Sequence, residues 1–317
     1  MSHYEQNISR ETPQDITREM VGRDSEKLYD VADKFGTAGL YVRTEATLDE
    51  HELLDSTDVR WAMSVGFALH SADVRTNGRY NDHLMIVGLQ VIENFNVANP
   101  DIIAAAFLHD AIEDHPKDLA FMLTGEDISE VDDATAREIA YVALREKLPR
   151  VADIVLDVSN PIIPKDEEGN YVEDKLVAYT RHTTELLEDP TKGKSGLLKL
   201  SDFMHNAVNN HLTIGEKRKK LDKKYIMQYD AYLRYVYSPH SEVPEESRQD
   251  IYYALIDGLE RATLRREKDE LEDKRDRWRS RIASAAMSPK RLLKRVSKIG
   301  SKGTDSSPRD DTEPQHL

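Results

Sequence analysis

The sequence predicts an all-α protein, and two observations carry that reading. Apolar residues recur at helical spacing through most of the chain, and no segment shows the convincing alternation of a half-buried strand. The first two dozen residues are polar and aperiodic, after which Leu28, Val31, Ala32 and Phe35 mark a first helix and Gly36 supplies its stop. Further helical periodicity runs through 58–73, 82–95, 100–114, 133–146, 149–158, 173–188, 196–212, 215–237 and 245–287. Between these segments, the polar stretch Pro164-Lys165-Asp166-Glu167-Glu168-Gly169-Asn170 reads as a loop. Ser301 to Leu317, rich in Ser, Pro and acid, reads as a disordered end.

A chain of 317 residues can hold a large domain with a well-buried cleft. Its 39% hydrophobic and 32% charged residues point to a globular helical protein with a charged surface. Cysteine is absent, which excludes disulfides, thiolate metal sites and cysteine nucleophiles, so any metal must sit on His, Asp and Glu. The N-terminus has no apolar stretch, and the longest apolar run, Ile102 to Leu108, is far too short to span a bilayer. A soluble, unexported, cytoplasmic protein is therefore expected. The net charge of −15 hides an asymmetry, because Lys274 to Lys302 carries 11 Lys/Arg against the single acid Asp276.

Chemistry concentrates in the segment from 100. Asn99 reads as its N-cap, with Pro100 at the first helical position and Asp101 in the first turn, and Pro116 biases His115 away from helix at its end. With about 3.6 residues per turn, His109, Asp110, Glu113 and Asp114 share one broad sector, while Ala104, Ala105, Leu108, Ala111 and Ile112 cover the opposite side. A lone His-Asp pair arises by chance in a chain with 11 histidines. Three carboxylates in the last turns of a helix are a different matter, because they oppose its macrodipole and repel one another. A bound cation offsets both costs, and mixed nitrogen and oxygen donors favour Mn²⁺, Fe²⁺ or Zn²⁺ over Ca²⁺.

Two further segments offer partners. In Lys199-Leu200-Ser201-Asp202-Phe203-Met204-His205-Asn206, helical spacing lines up Asp202, His205, Asn206 and Asn209, with Met204 and Val208 turned elsewhere. Arg75-Thr76-Asn77-Gly78-Arg79-Tyr80-Asn81-Asp82-His83 reads as a glycine-containing loop entering a helix, with the cation and aromatic ring that a base or phosphate pocket needs. His70, His115, His182, His211 and His240 read as surface or hydrogen-bonded histidines, and His205 as one able to orient a ligand.

Together the three segments resemble, in order and spacing, the hydrolase domain of the Rel/Spo alarmone enzymes, closest to the small members without a synthetase. Arg75 to His83 is similar to their first motif, Leu108-His109-Asp110-Ala111-Ile112-Glu113-Asp114 to their HD and ED motif, and Lys199 to Asn206 to their last. Leu148 to Ser159 resembles their linking helix. The resemblance implies an HD-domain helical bundle over 55–240, preceded by an N-terminal extension of one helix over 1–54. A charged helical appendage with a basic tail over 241–302 and a disordered 303–317 would follow. It also implies that His83, His109, Asp110 and Asp202 ligate one metal, commonly Mn²⁺, and that Glu113 and Asp114 orient and deprotonate water. Arg75 would lie against a purine, and Tyr80 and Asn206 would line the nucleotide pocket. The family reaction removes pyrophosphate from the 3′ position of (p)ppGpp, giving GDP or GTP.

The sequence departs from the family pattern at named places. Members usually read Arg-Lys-x-Gly-x-Pro-Tyr before the first His and Pro after it; here Thr76 replaces Lys, the loop is one residue shorter and Leu84 follows His83. Phe203 stands where the family often has Arg. Two other readings stay open: an HD phosphohydrolase acting on an adenosine alarmone, a deoxynucleotide or NADPH, and a nucleotide-binding regulator with vestigial activity. Past Pro289, the amphipathic Lys290 to Ile299 offers RNA, an anionic membrane surface or the protein's own acidic body as partner.

Overall fold

The computed structural model describes residues 16–75, 78–208 and 215–286, and the chain divides into two compact units, Met1–Arg266 and Glu267–Leu317. The described part of the second unit is the end of one helix, on which Leu271, Trp278 and Ile282 are exposed. The basic segment Lys290 to Ile299 and the end 303–317 lie outside the described residues, as do Asn209 and His211. No helix among the described residues is long and apolar enough to cross a membrane.

The first unit is predominantly helical. In chain order its helices are α1 (Arg18–Val21), α2 (Leu28–Glu50), α3 (Thr57–Leu69), α4 (Tyr80–Glu93), α5 (Pro100–Leu108), α6 (Ala111–Asp114), α7 (Pro116–Thr124) and α8 (Asp133–Lys147). There follow α9 (Pro149–Val158), α10 (Lys175–Glu188), α11 (Gly193–Phe203), a π turn (Met204–Val208), α12 (Gly215–Val236) and α13 (Glu245–Ala286), which continues past the unit boundary. Strands β1 (Val74–Arg75) and β2 (Gly78–Arg79) pair antiparallel, with Val74 opposite Arg79 and Arg75 opposite Gly78. This ladder lies in a segment read from sequence as a loop; two residues per strand are too few for any alternation to be legible, and among the described residues the fold is all-α apart from it.

The fold is organised around α5. Every residue from Ile102 to Leu108 is buried, so this helix is apolar all round and packs against α3, α4, α9 and α11. Its start is as the sequence predicts: Asn99 Oδ1 accepts from the backbone N–H of Asp101 at 3.0 Å and Ile102 at 3.3 Å, and Pro100 takes the first turn. A β-carbon on Gly66 of α3 would lie 2.1 Å from the Phe107 carbonyl oxygen, so that position admits only glycine at this helix separation. Gly36 has φ +61° and puts a kink inside α2, where the sequence predicts a stop, and a second helical run follows it directly.

Three expectations are corrected. The segment 116–124, left out of the periodic reading, is a helix: Pro116 starts it, Leu119 and Ala120 are buried, and Gly125 ends it at φ +76°. The N-terminal segment is no separate extension, because Ile16, Val21, Leu28, Val31 and Leu40 share an apolar cluster with Met85, Ile86 and Leu89 of α4. It also holds a short α1 within the stretch read as aperiodic. The boundary expected at 240 falls inside the first unit, since Ile251 and Leu255 of α13 belong to the main core.

A buried ion pair locks α2 to α4. Arg43 Nη2 lies 2.6 Å from Glu93 Oε2 and Nε 2.9 Å from Oε1, with side chains only 2% and 4% exposed. Thr47 Oγ1 donates to Glu93 Oε1 at 3.0 Å, and Arg43 Nη1 donates to the Glu26 carbonyl at 2.7 Å, so each remaining polar atom has a partner. Removing one member leaves the other charge buried and alone, which typically costs about 3–5 kcal/mol. Arg43→Met is therefore expected to lower stability by about that amount in urea denaturation, and Arg43→Met with Glu93→Leu to recover part of the loss.

Candidate metal centre

Local structure at the end of α5 sets the site. His109 Nδ1 lies 2.8 Å from the Ala106 carbonyl, an oxygen that in a continuing helix would accept from the Asp110 N–H. The imidazole takes that acceptor, Asp110 relaxes to φ −99° and ψ −4°, and the predicted single helix 100–114 is broken into α5 and α6. A carbonyl only accepts, so His109 carries a proton on Nδ1 and turns Nε2 toward the site.

Four predicted ligands converge there from three segments. His83, in the first turns of α4, has Nε2 3.1 Å from His109 Nε2, 3.7 Å from Asp110 Oδ2 and 3.4 Å from Asp202 Oδ1. His109 Nε2 lies 2.9 Å from Asp110 Oδ2 and 3.8 Å from Asp202 Oδ1, and Asp202 comes from the end of α11. Both imidazoles are fully buried and the two carboxylates are half-buried or less exposed. Ligands held at about 2.0–2.2 Å from one ion stand roughly 2.8–3.6 Å apart at right or tetrahedral angles, close to the 2.9–3.8 Å found here. Two imidazole nitrogens and two carboxylate oxygens are also the donor set of a borderline divalent metal.

The electrostatics agree with a cation site. Burial raises a carboxyl, yet the His109 and His83 rings hold Asp110 well below the usual carboxylate range. Asp202 is held low against burial by His83 and Lys199, whose Nζ stands 3.7 Å from Asp202 Oδ2. His109 is pushed up to about 9, because the attraction of Asp110 and Asp202 outweighs burial. A metal entering the site would exchange with that ring proton.

Around the donors the structure brings together the predicted pocket residues. The Tyr80 hydroxyl donates to Asp110 Oδ2 at 2.5 Å and reaches Asp114 Oδ2 at 3.0 Å, bridging the two carboxylates. Arg75, placed by the hairpin, donates to Asn206 Oδ1, and its guanidinium lies 5.1 Å from the Tyr80 ring centroid. Asn206 Nδ2 donates to Asp202 Oδ1 at 2.5 Å. The π turn carries Asn206 and His205; such turns widen the helix and re-aim side chains. His205 Nδ1 lies 2.5 Å from His83 Nδ1, so the tautomers of the two rings are linked.

Glu113 and Asp114 are separated by their partners. Both Glu113 oxygens are engaged by Asn160, the backbone N–H at 2.7 Å and Nδ2 at 3.1 Å, which ties α6 to the end of α9. Asp114 is an exposed residue, but its carboxyl end turns inward; burial and the charges of Asp110 and Glu113 push it up to about 6. Of the pair, among the described residues, only Asp114 is joined by a hydrogen-bond bridge to the candidate ligand Asp110, through Tyr80.

Some participants were not identified from sequence. Asn160 gave no signal, being 47 residues from the glutamate it holds. Lys224 of α12 is pushed down by burial and by Lys199, and it feels Asp202, Glu113 and Asp110, which places its ammonium in the field of the site. Phe203 stacks on Tyr232 at 4.0 Å and meets Tyr225 and Tyr229 edge-on, so the residue after Asp202 anchors the helix end in an aromatic cluster. His182 and His240 bond the Asp157 and Leu187 carbonyls, as expected of structural histidines.

Comparison with protein-family models, curated proteins and solved structures gave no match. The site therefore stands on its geometry. Tyr80→Phe keeps the ring and removes the bridge between Asp110 and Asp114, so divalent-metal affinity at this centre is expected to fall about 10–100-fold. Calorimetric titration of the chelator-stripped protein with Mn²⁺ checks this.

Proposed function

We propose that the protein is a metal-dependent phosphohydrolase of the HD type whose substrate is a 3′-pyrophosphorylated guanosine nucleotide. One observation carries the reading: the Nε2 atoms of His83 and His109 lie 3.1 Å apart and each stands 2.9–3.8 Å from Asp110 Oδ2 and Asp202 Oδ1, four donors from three distant segments, with Asp114 joined to Asp110 through Tyr80. The motif order supports the same reading, and so does the placing of Arg75 and Asn206 against the donor set.

His83, His109, Asp110 and Asp202 would hold one divalent ion, Mn²⁺ in this reading. When bound, the ion makes a neighbouring water more acidic and draws charge from a phosphate oxygen. The remaining work falls to side chains. In this reading Asp114, joined to Asp110 through the Tyr80 hydroxyl, would take a proton from water. Glu113, gripped by Asn160, fixes the turn that presents Asp114. Arg75 presents a guanidinium to a purine face or a phosphate, and its bond to Asn206 keeps it beside Asp202. The overall reaction is ppGpp plus water to GDP plus pyrophosphate, with the oxygen from water on the released pyrophosphate or the nucleotide according to the bond cleaved.

Incubation with Mn²⁺ and a panel of ppGpp, pppGpp, ppApp, deoxynucleoside triphosphates and NADPH, resolved by anion exchange, is expected to give GDP and pyrophosphate from ppGpp. Orthophosphate alone, or no turnover of any 3′-pyrophosphorylated nucleotide, rules the alarmone reading out. Asp114→Asn keeps shape without the basic oxygen, so this variant is expected to fold and bind metal while turnover drops about 10²–10⁴-fold. Loss of metal in step with activity would make Asp114 a ligand instead.

A further inference from the structure

Against the Tyr80 ring lies a group of metal-ligand type that the reading above does not use. His70 ends α3, Asp73 sits in the turn after it, and His115 occupies the junction between α6 and α7. Asp73 Oδ2 is 2.8 Å from His70 Nδ1 and 2.7 Å from His115 Nε2, and one donor atom from each residue lies within 4.8 Å of the others. His70 is fully buried, and its ring stacks on Tyr80 at 4.2 Å and 9°.

Both rings turn a nitrogen onto the same carboxylate oxygen, His70 through Nδ1 and His115 through Nε2, so three donor atoms gather at one point. The second nitrogen of His115 faces Asp118 Oδ2 at 3.4 Å, the imidazole-to-carboxylate support that metal-bound histidines commonly have. Two imidazoles and a carboxylate from segments that meet only in the fold suit Zn²⁺, Mn²⁺ or Fe²⁺.

The surroundings favour a cation as well. His115 opens on a cleft of about 600 Å³ whose walls include Asp114, Asp118, Asp127 and Asp133. The one lysine among the lining residues, Lys117, donates to the Ser129 carbonyl at 2.7 Å. Four carboxylates in one cleft make a negative potential that draws in cations and repels anions.

We propose that His70, Asp73 and His115 form a second divalent-cation site, separate from the His83 centre and open to the acidic cleft. The two donor sets share no residue, so this is not a bridged two-metal centre. Its occupancy is independent of the proposed hydrolysis. Its use rests on that reading: an ion here would turn the cleft beside Asp114 from repelling to receiving a phosphorylated nucleotide, in a chain whose first motif has Thr76 where the resemblance calls for a lysine.

The test is metal stoichiometry of the full chain, stripped with chelator, re-equilibrated with Zn²⁺ or with Mn²⁺ alone, and measured by elemental analysis alongside circular dichroism. Wild type is expected to hold two ions per chain, and Asp73→Asn, His115→Gln and His109→Ala one each. His115 is partly exposed, so His115→Gln carries the test should Asp73→Asn misfold. One ion in wild type, kept in folded His115→Gln and lost in His109→Ala, overturns the second site and leaves the hydrolase centre. One ion lost in His115→Gln and kept in His109→Ala does the reverse. Two ions in wild type and in His115→Gln also overturn the assignment.

Discussion

The hydrogen bond from His109 Nδ1 to the Ala106 carbonyl is the contact on which the site depends. It does two things at once. It terminates α5, buried from Ile102 to Leu108, at a defined residue, and it fixes the tautomer that turns the His109 Nε2 atom toward His83 and Asp202. Because α5 is enclosed on every side, the position of that nitrogen is inherited from packing. The C-terminal end of α5 also carries the negative pole of its backbone dipoles, so the place where the imidazoles meet two carboxylates is already biased toward a cation.

Much of this was legible in the sequence, for identifiable reasons. The Asn99-Pro100-Asp101 start of α5 follows from cap chemistry, and the structure has it in place. The set His83, His109, Asp110 and Asp202, with Arg75, Tyr80 and Asn206, came from the resemblance of three motifs to a known hydrolase domain, and the fold brings these side chains together. What escaped was set by competition between side chain and backbone. Periodicity carried 100–114 through as one helix, since a break made by an imidazole taking a carbonyl leaves no trace in apolar spacing. The helix at 116–124 was hidden because a proline read as an end is equally a beginning. The π turn at Met204–Val208 changes the aim of His205 and Asn206 without changing their order.

Long-range partners were the other blind spot. Asn160 on Glu113, Lys224 near the carboxylates and Asp73 between two histidines are each ordinary residues until the fold brings them together. Their roles come from proximity, and proximity between segments 40 or more residues apart is set by helix packing.

Tyr29 of α2 stacks on His205 at 6.1 Å, and His205 in turn stacks on His83 at 4.8 Å. The N-terminal helix is thereby in line with the donor set through two rings. Thermodynamic reciprocity follows from that line. Whatever steadies His83 from the site side also steadies the docking of α2, and whatever loosens α2 weakens the hold on His83 by the same coupling free energy. A segment outside the three motifs thus becomes a reporter of occupancy, one that slowed amide hydrogen exchange in α2 would register.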